Sequence, residues 1–183
     1  MPNQGALIQA IRERCLKVSE REEYRLASGR MSRYYVDLKA VTLDPERLAQ
    51  LGAALFDAMK EDAPDAAGGL TLGADPLAYA VALESVKRGR VIRPFVVRKE
   101  PKGHGTQKWI EGRVGAGDRA VVLEDVATTG ASALKAARTL QDAGVIVVRI
   151  LPVVDRMEGA REAVEGAGFR FEPLFTLNDL LSA

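Results

Sequence analysis

Short apolar runs alternate with helical spacings along most of the chain. Leu7, Ile8, Ile11, Cys15 and Leu16 recur at intervals that predict a helix over residues 5–17. Beyond a polar stretch that begins at Ser19, Tyr34, Val36 and Leu38 alternate with Tyr35, Asp37 and Lys39, which suits a strand. Asp44-Pro45 reads as an N-cap followed by proline at the first helical position. The helix it opens carries Leu48, Leu51, Leu55 and Met59 on one face. From about residue 66 the texture changes: strands are predicted at 69–72, 91–97 (interrupted by Arg93 and Pro94), 120–123 and 145–154. Helices are predicted between them at 76–87 and 131–143, the second ended by Gly144. The run 120–123 is continuously apolar, as a strand covered on both faces should be. Such alternation predicts an α/β fold, a parallel twisted sheet flanked by helices. The segment from Phe169 has room for one more strand and a short helix.

Composition narrows the function classes. Hydrophobic residues at 47% and charged residues at 28% are globular proportions. Lys+Arg is 26 against Asp+Glu 25, which argues against a protein that coats nucleic acid. No stretch longer than 11 residues lacks an acidic or basic side chain, so no transmembrane helix is expected. The N-terminus has no basic region leading into an apolar run, so no signal peptide is expected and a cytoplasmic location is. One cysteine, Cys15, and one histidine, His104, exclude an internal disulfide and a Cys- or His-rich metal centre. With no repeat and no linker, residues 1–183 read as a single domain.

In a parallel sheet, ligands bind beyond the carboxyl ends of the strands. The strongest candidate there is VVLEDVATTGASALKAAR, residues 121–138. A buried strand ends in Glu124 and Asp125. The small residues Val126, Ala127, Thr128, Thr129 and Gly130 follow, and then a helix opening with Ala131 and Ser132. Small residues let backbone N–H groups converge, and the helix N-terminus adds partial positive charge, which together make a phosphate cradle. The carboxylates suit ribose hydroxyls, so a sugar phosphate fits both halves. The plainer alternative is an ordinary helix start capped by Asp125 or Thr129. Gly115, Gly117 and Ala120 match a dinucleotide fingerprint only in letters, since they precede a strand rather than follow one.

This string resembles the phosphoribosyl-pyrophosphate motif of the type I phosphoribosyltransferases. Three further segments are similar to the orotate phosphoribosyltransferase family: Ser28 to Asp37 (SGRMSRYYVD), Arg98 to Gly105 (RKEPKGHG), and Val154 to Gly159 (VDRMEG). Gly73-Ala74-Asp75-Pro76-Leu77 resembles that family's pyrophosphate loop. The likeness runs in the family's order from about residue 20 to 165. It departs at Ala27, where many members have lysine.

The resemblance implies a core sheet over about 66–155, with about 1–40 and the C-terminal segment forming a small hood. It implies transfer of ribose 5-phosphate from phosphoribosyl pyrophosphate to orotate, giving orotidine 5′-phosphate and pyrophosphate in pyrimidine biosynthesis. Glu124 and Asp125 would hold the ribose hydroxyls, residues 126–132 the 5′-phosphate, and Thr128 and Arg156 the orotate. For Arg156 a local ion pair with Asp155 is the structural alternative. Arg98, Lys99, Lys102 and His104 would act on the pyrophosphate. On charge alone that segment also reads as a solvated surface loop; by resemblance it is a glycine-hinged lid reaching the neighbouring subunit of a homodimer. Mg²⁺ is the expected cofactor, held mainly by substrate and water rather than by protein ligands. The rival functions are transfer to another base, or a regulator that binds phosphoribosyl pyrophosphate without chemistry.

Overall fold

The structure, a computed structural model, describes residues 4–25, 29–101 and 108–183. Helix α1 (Gln4–Cys15) runs directly into β1 (Leu16–Val18). Two short strands, β2 (Tyr24–Arg25) and β3 (Met31–Ser32), pair with each other, and β4 (Tyr34–Val36) pairs antiparallel with β1. Then come α2 (Lys39–Thr42), α3 (Pro45–Met59) and a 3-10 turn at Lys60–Asp62. The predicted cap of α3 is present: Asp44 accepts from the backbone N–H of Glu46 and Arg47, and Arg14 of α1 donates to its other oxygen at 2.7 Å. One carboxylate therefore both starts α3 and ties it to α1.

The remaining chain alternates strand and helix: β5 (Ala66–Leu70), α4 (Asp75–Lys87), β6 (Arg93–Val97), β7 (Ile110–Gly112), β8 (Arg119–Ala127), α5 (Ala131–Asp142), β9 (Ile146–Asp155), α6 (Ala160–Gly166), β10 (Phe175–Thr176) and α7 (Leu177–Ser182). Six strands form one sheet in the order β10-β9-β8-β5-β6-β7. All its pairs are parallel except β6 with β7. The expected α/β class and the parallel sheet flanked by helices are what the chain forms.

Because strand side chains alternate between faces, β8 feeds two cores. Val121 and Leu123 pack with α1, α3, α4 and α7, through residues such as Ile11, Leu55, Leu77 and Leu180. Ala120 and Val122 pack with α5 and α6, through Ala137, Leu140 and Val164. Each fully buried leucine, isoleucine or valine among these contributes about 1.5–3 kcal/mol over its exposed state. The two faces are thus both covered, which explains why these strands read as continuous apolar runs.

The differences from the sequence reading are local. β8 runs on to Ala127, so the strand continues two residues past the carboxylates that were expected to end it. The alternating stretch at 34–39 stops being a strand at Val36, and Lys39 opens α2 instead. β7 and α6 had no prediction; both are short, and β7 has the polar Glu111 at its centre.

Candidate active site

The loops after β5, β6, β8 and β9 all lie at the carboxyl ends of parallel strands, and their residues converge at the end of β8. Asp125 lies against the loop that leads into α4, and Glu124 lines the cavities on both sides of the strand end. Glu124 is buried, and its Oε2 has no hydrogen-bond partner among the described residues. Burial, and then the charge and hydrogen bond of adjacent Asp125, push its carboxyl up to about 9. At neutral pH, Glu124 therefore carries a proton. Asp125 is only partly buried and its Oδ1 accepts from the Val126 N–H at 2.8 Å.

Beyond Ala127, Thr128 and Thr129 lead to Gly130 with φ +77°, a conformation that only glycine adopts cheaply. Gly130 is the N-cap of α5 and no side chain caps that helix. Neither Asp125 nor Thr129 takes the capping role, so the first-turn N–H groups have no side-chain acceptor. They line a recess of about 400 Å³ together with Glu124 and residues 126–133. A Cβ on Gly130 would come within 3.0 Å of Val164, so α6 packs directly behind the loop.

A second, larger cleft of about 640 Å³ lies on the Asp125 side. Lys39, Thr71, Gly73, Asp75, Lys99 and Asp125 are among its lining residues. The loop that follows β5 shapes its floor. Thr71 Oγ1 donates to Asp75 at 2.8 Å, while the other oxygen of Asp75 is buried and unpartnered among the described residues. Glu124 and Ser132 line both cavities, so the carboxylate pair sits where they meet.

The segment after β6 starts beside this cleft. The Arg98 N–H donates to the Trp109 carbonyl at 2.9 Å, which brings the two ends of the segment together. Lys99 lines the cleft, and Arg98 a neighbouring recess with Thr71 and Glu111. Lys135 of α5 donates to the Lys99 carbonyl at 2.6 Å and lies 5.5 Å from the centre of the Trp109 ring. Lys102, His104 and Ala27 lie outside the described residues.

Arg156 is buried at the end of β9, with its N–H bonded to the Ala127 carbonyl. It is not among the residues lining the two cavities. Its Nη2 donates to Ser32 Oγ at 3.1 Å and to the Tyr34 carbonyl at 2.8 Å, and pairs with Glu158 at 2.8 Å. The ion-pair partner is thus Glu158; Asp155 instead accepts from the Met157 N–H. Sequence reasoning missed Lys39, Thr71 and Tyr79 in the cleft. Only the Gly73–Leu77 string pointed to its floor.

No protein-family model matches the chain. It is 51% identical over 175 residues to an orotate phosphoribosyltransferase of Aquifex aeolicus (strain VF5), covering 96% of each protein. It is 44% identical over 183 residues to one from Bradyrhizobium sp. (strain ORS 278), covering 98% of this chain and 97% of the relative. Among solved structures it matches Mycobacterium tuberculosis H37Rv orotate phosphoribosyltransferase in complex with 5-phospho-alpha-D-ribosyl 1-diphosphate. That match has a TM-score of 0.79 and 39% identity, over 98% of this chain and 99% of the other.

Proposed function

The chain belongs to the orotate phosphoribosyltransferase family, and on that premise we infer that it transfers ribose 5-phosphate from phosphoribosyl pyrophosphate to orotate. Orotidine 5′-phosphate and pyrophosphate are the products, a step of pyrimidine biosynthesis. The observation that carries the reading is the junction at Glu124 and Asp125: a carboxylate pair between an uncapped helix N-terminus and a second cleft lined by ammonium groups.

Asp125 accepts from the ribose hydroxyls, and Glu124, protonated at neutral pH, offers them a donor as well as an acceptor. Thr128 to Ser132 take the 5′-phosphate on backbone N–H groups and hydroxyls. As the bond from ribose to pyrophosphate breaks, positive charge grows on the sugar and negative charge on the leaving oxygens. The Asp125 carboxylate opposes the first, and the Lys99 ammonium, with Arg98, Lys102 and His104, opposes the second. No covalent nucleophile is required; the site positions two substrates and supplies fixed charge. Orotate is assigned to Thr128 and Arg156, whose guanidinium matches a carboxylate.

The donor set of the cleft fits Mg²⁺ brought in on the pyrophosphate. The buried, unpartnered oxygen of Asp75 and the Asp125 carboxylate can accept hydrogen bonds from its bound water. When bound, the ion neutralises pyrophosphate charge.

A homodimer is part of the reading. Tyr79, Leu83 and Val86 form an exposed apolar stripe on α4, and Leu72 and Leu43 extend it at the rim of the cleft. Such a patch beside a site suits a second copy. Residues 1–183 act as one catalytic unit, with about 1–40 and the C-terminal segment as its hood; α1 and α7 sharing one core support this. A single buried cysteine, Cys15, suits a cytoplasmic enzyme.

An ultraviolet assay of orotate consumption with phosphoribosyl pyrophosphate and Mg²⁺ tests the function. Loss of orotate absorbance that requires both is expected. Turnover of adenine, guanine or hypoxanthine with orotate left intact would replace the assignment.

A further inference from the structure

Two ammonium groups are among the described residues lining the larger cleft, Lys99 and Lys39. Lys99 has a place in the reaction above; Lys39 has none. We propose that Lys39 is a substrate-binding residue whose ammonium holds the pyrophosphate group of phosphoribosyl pyrophosphate, and afterwards the released pyrophosphate. The assignment rests on the function inferred above and adds a residue to its site.

The division of the site is the first argument. In phosphoribosyl pyrophosphate the two phosphate-bearing groups leave the ribose ring at opposite sides, C4 and C1. The carboxylates that face the ribose stand between the two cavities. With the 5′-phosphate on the loop before α5, the pyrophosphate falls into the cleft that Lys39 lines. That cleft also carries Asp75 and Asp125, so a polyanion entering it needs fixed cations close by.

The second argument is how Lys39 is mounted. Leu38 and Val41 are both fully buried on either side of it, so its backbone is anchored in the core. Its side chain nevertheless remains 64% exposed. A fixed base with a free tip is the arrangement of a residue that reaches for a ligand rather than one that packs.

The third is its present partner. Asp37 Oδ1 accepts from both the Lys39 backbone N–H at 3.1 Å and its ammonium at 3.0 Å. An exposed pair of this kind is weak. Pyrophosphate oxygens, with more charge and more acceptors, can draw the ammonium away, while the backbone bond keeps α2 in place.

Lys39→Met removes the charge and keeps most of the stem. In steady-state assays it should raise KM for phosphoribosyl pyrophosphate at least about tenfold, as loss of a charge-assisted contact does. The inhibition constant for product pyrophosphate should rise in parallel. KM for orotate and the melting temperature should stay near wild type, and Lys39→Arg should restore most of the affinity. Calorimetric titration of the variant with Mg²⁺-pyrophosphate reads the same contact without turnover. Unchanged pyrophosphate binding in Lys39→Met, with a wild type that consumes orotate, would overturn the assignment and leave the function standing. A rise in the orotate KM alone would also overturn it, since Lys39 would then face the base. A wild type inert toward orotate would overturn the function instead, and the titration would still decide whether Lys39 binds pyrophosphate.

Discussion

A methyl group on Gly73 would lie 2.6 Å from the carboxylate of Asp125. The loop after β5 and the end of β8 therefore approach so closely that a side chain at 73 must displace either the Asp125 carboxylate or the loop. Gly73 has no positive φ, so its requirement is space rather than backbone freedom. Gly73→Ala should push Asp125 out of its position. KM for phosphoribosyl pyrophosphate should rise tenfold or more, while the loss of stability stays within about 1–3 kcal/mol, as for overpacking elsewhere. Kinetics and a denaturant titration on the same preparation separate the two effects. Wild-type kinetics would show that the loop yields and Asp125 does not depend on it.

The proton on Glu124 makes the ligand-free protein sensitive to pH. Its carboxyl titrates at about 9 in the fold, far above the ordinary value of 4.5. Between those two values the folded chain binds a proton that the unfolded chain has released. Stability must therefore fall as pH rises through that window and level off above it. Glu124→Gln, which cannot ionise, should flatten this dependence and raise the melting temperature at pH 8 by several degrees relative to wild type. Each kcal/mol corresponds to about 2–4 °C for a chain of this size. Melting curves at pH 5, 7 and 9 check it. Parallel curves for the two proteins would mean that Glu124 ionises normally.

Arg156 joins the end of β9 to the strand pair that precedes α2, through Ser32 and the Tyr34 carbonyl. If it also meets the orotate carboxylate, Arg156→Ala should raise KM for orotate much more than KM for phosphoribosyl pyrophosphate. Leaving a buried charge unpaired costs about 2–5 kcal/mol. Equal increases for both substrates would make Arg156 a strut between strands and nothing more.

A separate ionic cluster sits at the amino ends of the strands, away from the site. Buried Arg149 pairs with Asp62 at 2.7 Å and with Glu172 at 2.5 Å, and also donates to the Ala58 carbonyl. Asp62 accepts from Arg170 as well. Asp62→Ala should cost about 3–5 kcal/mol, because it leaves the Arg149 charge with less compensation in the interior. Turnover per folded molecule should be unchanged. A denaturant titration with an activity assay decides; full stability would mean Glu172 alone compensates Arg149.

Much of this was legible in the sequence, for a physical reason. Parallel strands covered on both faces must be apolar throughout, so runs such as 120–123 announced themselves. The string from Glu124 to Ser132 was readable because the phosphate cradle and ribose acceptors proposed for it would come from consecutive residues of one strand, loop and helix. What stayed hidden depends on distant segments meeting. Lys39 looked like the last residue of an alternating strand, and nothing local shows that α2 delivers it opposite Asp125. β8 looked shorter than it is because Glu124 and Asp125 interrupt its apolar run, although Val126 and Ala127 beyond them pack against the two cores. The structural alternative for Arg156 was a pair with Asp155, whereas its bonds go to Ser32, Tyr34 and Glu158, two of which are remote in sequence.

The homodimer with shared sites can be tested by complementation. In this reading Lys102 serves the pyrophosphate of the neighbouring subunit, while Asp125 serves the ribose of its own. Lys102→Ala and Asp125→Asn should each be nearly inactive as pure dimers. In a mixed dimer one site collects both defects, and the other combines an intact Asp125 with an intact Lys102. Random exchange of equal amounts makes about half the dimers mixed, each with one intact site, so activity should recover to about a quarter of wild type if sites act independently. Mass spectrometry of differently labelled subunits confirms that exchange occurred. Exchange without recovery would reject the shared site. Lys102 would then act within its own subunit, as Lys99, which lines the cleft of its own chain, is already placed to do.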